Sequence, residues 1–115
     1  MLIVAAVLFA IAALGGLTMA YIYFKKDRNP PVALAVLHGV LAATALVILM
    51  RVVLQASHGG SPAWALGLFT VAALGGFFLF SYHIRGQRLP SRVVVIHAAV
   101  AIAAFVVLLA GIVAP

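Results

Sequence analysis

The sequence contains no cysteine and no glutamate, and its single acidic residue is Asp27. Without cysteine there can be no disulfides, iron–sulfur clusters, thiolate metal sites or cysteine nucleophiles. Without an acid inside the apolar runs, carboxylate-driven proton transport is excluded, and the row of arginines that voltage sensing requires is missing as well. Nothing acidic can orient a histidine, and no serine sits in a nucleophile elbow, which argues against hydrolytic chemistry. Charge as a whole is scarce: 7% of the 115 residues are charged and 68% are hydrophobic. A soluble domain carries about a quarter charged residues, so most of this surface must meet lipid.

The charge that remains is lopsided, seven Lys or Arg against one Asp. Nucleic-acid binding needs cations spread over a water-exposed face, whereas these cluster between apolar runs. No nucleic-acid partner is expected. Four runs reach the roughly 20 residues that a helix needs to cross a bilayer: residues 1–24, 32–50, 63–84 and 93–113. Their Ala, Leu and Val content and lack of period-two alternation predict helices and not barrel strands. Pro30, Pro31, Pro62 and Pro90 stand at or just before the helix starts, where a missing N–H is harmless. The first run has no basic segment ahead of it, so it reads as a mature helix and not a secretory leader.

The expected fold is an all-α membrane protein, a single membrane domain over residues 1–115 arranged as a four-helix up-down bundle. Lys25, Lys26 and Arg28 lie in the first connection and Arg85, Arg88 and Arg92 in the third, with only Arg51 at the edge of the second. The positive-inside rule then places the basic connections in the cytoplasm and both termini outside, in a bacterial inner membrane. Trp64 is expected at the outer boundary and Tyr21, Tyr23 and Tyr82 at the inner one. Arg51 is expected to end the second helix and snorkel to outer headgroups.

An internal repeat is the most informative pattern. Residues 8–16 read LFAIAALGG and residues 68–76 read LFTVAALGG, and both segments lead through a basic connection to a proline. From Pro31 the chain reads PVALAVLHGV, and from Pro90 PSRVVVIHAAV, each with a histidine seven residues past the proline. The chain therefore reads as a duplicated helical hairpin, repeat 1 covering about residues 1–54 and repeat 2 about 62–115, related by a pseudo-two-fold axis along the bilayer normal. At about 1.5 Å per residue, His38 and His97 lie about 10 Å below their prolines, at equal depth, and the pairs Gly15, Gly16 and Gly75, Gly76 lie within about a turn of the same level. In an up-down bundle the histidines occupy one diagonal and the glycine pairs the other.

An imidazole at membrane depth is a functional candidate, and with no intramembrane acid or lysine its partners reduce to a carbonyl, a hydroxyl, water or a metal. Zinc or copper catalysis takes three protein ligands, but a haem iron takes two axial ones. Ala42 and Ala45 below His38 match Ala101 and Ala104 below His97 and leave room on the histidine faces.

On His38, His97, Gly15, Gly16, Gly75 and Gly76 the chain resembles the haem-carrying four-helix bundle of transmembrane b-type cytochromes. The resemblance implies a haem b with His38 and His97 as axial iron ligands, packed against those glycines. It covers the architecture and these six positions only. It also departs from the family, which generally stacks two haems on two histidines per ligand helix, whereas one histidine per helix leaves at most one haem. Haem propionates would find cations at Arg92, Arg88, Lys25 and Lys26.

The same residues admit a second account. Paired glycines bring membrane helices close together, and a duplication copies a structural histidine as readily as a ligand; quinone, lipid or another metal are further occupants of the layer. Two functions are thus expected: a small b-type cytochrome subunit carrying electrons within or beside a larger membrane complex, or a cofactor-free accessory or assembly subunit of such a complex or of a homo-oligomer. An independent enzyme is not expected. His58, in QASHGGSP, reads as a solvated loop residue and His83 as an interfacial one aligned with Tyr23. The glycines beside His58 are no phosphate cradle, since no Lys follows them.

Overall fold

The computed structural model describes residues 1–56 and 59–114. Every regular element among them is an α-helix: α1 (Leu2–Lys25), α2 (Val32–Gln55), α3 (Ser61–Ile84) and α4 (Ser91–Val113). Each is long and apolar enough to cross a membrane. The molecule is 42 Å long and about 21 by 20 Å across, long enough to span a hydrocarbon core of about 30 Å.

Local chemistry sets the helix ends. Pro31 and Pro90 are the N-caps of α2 and α4, in extended backbone that a following helix can leave but not invade. Asp27 and Gly86 follow α1 and α3 in left-handed backbone, with φ of 52° and 65°, a conformation open to Gly and tolerated by Asp. Past α3 the Gly86 N–H reaches the His83 carbonyl and the Gln87 N–H the Tyr82 carbonyl, which closes the helix in a Schellman turn. Arg51 does not end α2, which continues through Val52, Val53 and Leu54 to Gln55. Hydropathy stops at a charge, but the helix stops only where its hydrogen bonding does.

The helices pack most closely within two pairs, α1 with α2 and α3 with α4; the seams α2–α3 and α1–α4 are looser, the last most of all. Small residues line the centre: Ala5, Ala45, Ala65 and Ala104 are fully buried, as are Leu49 and Leu108. Bulky apolar residues such as Leu14, Leu17, Leu74 and Phe77 face outward. This inversion of the soluble pattern follows from the solvent, because lipid tails take Leu as readily as a core does and only van der Waals packing brings helices together. A second cluster, Tyr23, Leu79 and Leu89, closes the basic end.

Candidate functional site

Between the two clusters lies the histidine layer. His38 extends from α2 toward α1, where its Nδ1 stands 2.7 Å from the Ala12 carbonyl. His97 repeats this from α4 to the Ala72 carbonyl of α3 at 2.8 Å. A carbonyl only accepts, so in each ring Nδ1–H donates and the neutral imidazole keeps its lone pair on Nε2. The glycines explain how the rings fit. A Cβ added at Gly16 would lie 3.1 Å from Cε1 of His38, and one at Gly76 would lie 3.3 Å from Cε1 of His97. At Gly15 and Gly75 the added carbon would touch Nδ1 and Cβ of the same histidines at 3.6–3.9 Å. In this packing each glycine pair is a notch that receives an imidazole from the helix beside it.

The two rings meet across the bundle. Their centres are 6.3 Å apart and their planes nearly perpendicular, at 80°. Both histidines are half-buried. About one turn away toward the α1 N-terminus, Phe9 of α1 and Phe69 of α3 stack with ring centres 3.7 Å apart and planes 1° from parallel. The histidines thus bridge one diagonal and the phenylalanines the other. Ala45 and Ala104, two turns beyond the histidines, are fully buried, and Ala42 and Ala101 are half-buried.

The layer therefore unites six sequence-predicted residues: His38 with Gly15 and Gly16, His97 with Gly75 and Gly76. It offers two imidazoles in an apolar setting, each anchored through Nδ1 to a backbone carbonyl. Among the described residues no three of His, Cys, Asp or Glu gather as a metal-binding group, so a metal here would take two protein ligands and need the rest from elsewhere. His58 lies outside the described residues.

Sequence reasoning missed the basic end, where the two connections interlock. Tyr23 is buried and its hydroxyl donates to the Leu89 carbonyl at 2.6 Å; it is not an exposed interfacial anchor. At the equivalent place in the second half, His83 Nε2–H donates to the Pro30 carbonyl at 3.2 Å. Both residues reach from a helix end to the other hairpin, so His83 also exceeds a plain interfacial role; its Nδ1 is buried with no partner. Asn29 clasps the opposite strand of chain, donating to Gln87 O at 2.7 Å and accepting from Leu89 N–H at 3.1 Å. Arg88 spans Asp27, with Nη1 at 2.8 Å from its carbonyl and Nη2 at 3.1 Å from Oδ1, and lies over the Tyr23 ring. Contacts to Tyr23 and then to Asp27 hold the Arg88 guanidinium above its already high ordinary pKa. The available signal was the alignment of Tyr23 with His83, but nothing in the sequence says which carbonyl each would meet. Trp64 and Tyr21 are exposed, as boundary aromatics should be.

No protein-family model matches the chain, and neither the curated proteins nor the solved structures yield a match.

Proposed function

We propose that the chain is a small b-type cytochrome subunit of a membrane: an up-down bundle of two duplicated hairpins that holds one haem b between His38 and His97. It would carry electrons within or beside a larger membrane complex. The observation that carries this reading is the pair of imidazoles, each with Nδ1–H committed to a backbone carbonyl, with 6.3 Å between ring centres. Metal-bound histidines donate their other N–H in this way, which fixes tautomer and ring orientation. Two imidazoles on one metal, with bonds of about 2 Å and ring centres about 1.2 Å behind the nitrogens, stand about 6.4 Å apart. The ring-centre separation thus matches that of a bis-histidine iron.

The haem would supply one-electron chemistry. The part of this chain is to hold the two Nε2 lone pairs at fixed separation, to surround them with Ala, Phe and Leu, and to keep water out, all of which tune a redox potential. The looser packing between hairpins than within them is where a planar group would have to be seated, and bis-histidine ligation would tie the hairpins together. By the positive-inside rule the basic end faces the cytoplasm of a bacterial inner membrane and the termini face outside.

A second reading, a cofactor-free accessory or assembly subunit, is favoured by one specific observation. Each imidazole already fills a glycine notch and has its hydrogen bond, so the layer works as a self-sufficient helix joint. Two hollows of about 270 and 300 Å³ lie nearer the other end of the bundle, and neither is lined by a histidine.

The spectrum of protein purified from haem-replete cells separates the two. The expected result is a b-type band in the reduced-minus-oxidised spectrum that is lost in His38→Ala and in His97→Ala and retained in His83→Ala. Colourless, monodisperse, helical wild-type protein would overturn the cytochrome reading and leave the accessory one.

A further inference from the structure

The basic end holds six cations and one acid, and the structure accounts for only part of that charge. Asp27 is taken by Arg88. Arg85 folds back on its own helix, with Nε donating to Ser81 O, Nη2 to Ser81 Oγ, and its guanidinium over Tyr82. Lys25, Lys26, Arg28 and Arg92 are exposed, and their side chains make no hydrogen bond or ion pair among the described residues. Lys25, Lys26 and Arg92 are not scattered. The Tyr23–Leu89 hydrogen bond brings the end of α1 against the start of α4, so Lys26, about one turn past Tyr23, and Arg92 stand on adjoining helix ends, with Lys25 on the lipid-facing side of α1 beside them. At the corresponding α3–α2 corner, joined by His83 and Pro30, Arg85 is self-engaged, and Arg28 lies two residues before Pro30 in the connection. Tyr21, 58% exposed, lies one turn before Lys25 on the same face of α1 and places an amphipathic ring at headgroup level.

We propose that the basic end of the α1–α4 seam is a binding site for the phosphodiester headgroup of an anionic phospholipid, held by Lys25, Lys26 and Arg92. Only one of the six cations at this end pairs with the one acidic side chain, Asp27, so the end carries a net positive charge that anions from outside the protein can meet. Membrane helices carry their cations into the phosphate layer, where each is worth about fivefold in preference for an anionic surface. Arg contributes a fork of N–H donors suited to two phosphate oxygens and Lys a point charge. The site does not depend on haem.

The test uses the full chain in nanodiscs of phosphatidylcholine alone and of phosphatidylcholine with one-third phosphatidylglycerol, read by lipid retained per chain and by the thermal midpoint. The wild type is expected to retain phosphatidylglycerol about fivefold or more above its share of the disc and to melt at a higher temperature in the mixed discs. K25Q/K26Q/R92Q is expected to fall to the bulk share and lose the thermal increment, while R51Q, at the far end, keeps both. If the triple variant fails to fold, R92Q and K26Q singly should each lower retention. Retention at the bulk share by wild type, or undiminished retention in these variants, overturns the proposal. So does inorganic phosphate that reproduces the thermal increment in phosphatidylcholine discs, because the ligand would then not be a lipid.

Discussion

At the scale of single residues, the glycines make different predictions according to what their missing side chains would meet. Gly16→Ala puts a methyl 3.1 Å from the His38 ring, and forcing atoms into a packed site costs about 1–3 kcal/mol. The gain of up to about 1 kcal/mol from alanine's better helix propensity does not cover that loss. Equilibrium unfolding in mixed micelles should therefore show Gly16→Ala destabilised, Gly76→Ala less so because its contact is 3.3 Å, and Gly39→Ala stabilised because nothing lies within 4 Å of its added carbon. The histidines have a spectroscopic signature. In protein free of any metal, nitrogen-15 spectra should show both His38 and His97 with the proton on Nδ1, since each donates to a carbonyl. Protonation on Nε2 in either ring would remove the geometric basis for ligation.

At the scale of elements, the hairpin is the packing unit and the interlocked connections join one hairpin to the other. Tyr23→Phe leaves the ring in place but removes the 2.6 Å hydrogen bond to Leu89 O, and the expected loss is about 0.5–1.5 kcal/mol. The matching position makes the opposite prediction: His83→Tyr should keep a donor near Pro30 O while removing the buried, unpartnered Nδ1. Its unfolding midpoint should stay at or rise above that of wild type, and a marked fall would mean that the corners are not equivalent. The helices themselves were legible from hydropathy and proline placement, because lipid permits few alternatives to a helix. The length of α2 was not. Arg51 stands just before its last turn and Gln55 ends it, and a polar residue near a helix end neither terminates it nor announces that it continues.

At the scale of the whole molecule, the helices put Lys26 and Gln87 at one end and Gly59 in the connection at the other. The absence of native cysteine makes this directly measurable. Single cysteines at Lys26 and at Gln87 should react with an impermeant thiol reagent from the same side of a vesicle, and one at Gly59 from the opposite side. Labelling of all three from one side would contradict four crossings. The histidine layer is largely legible in the sequence, since the repeat and the helical rise fix the depths of His38, His97 and the glycine pairs. What the glycines do is less so. Depth says that they share a level with the histidines, but only packing shows that each notch receives the ring of its own hairpin.

The sequence alone determined that four helices are each long and apolar enough to cross a membrane, and that the titratable groups well inside them reduce to two histidines at one level, because composition and a fixed rise per residue set both. Tertiary structure alone decided where the rings point, which carbonyl sets each tautomer, and that Tyr23 and His83 fasten opposite hairpins. Those outcomes depend on the rotation of each helix about its axis and on residues up to 66 apart in the chain. In an apolar sequence whose helices are hydrophobic on every side, no stripe of polarity announces that rotation. It is fixed only when small residues find one another and the helices close.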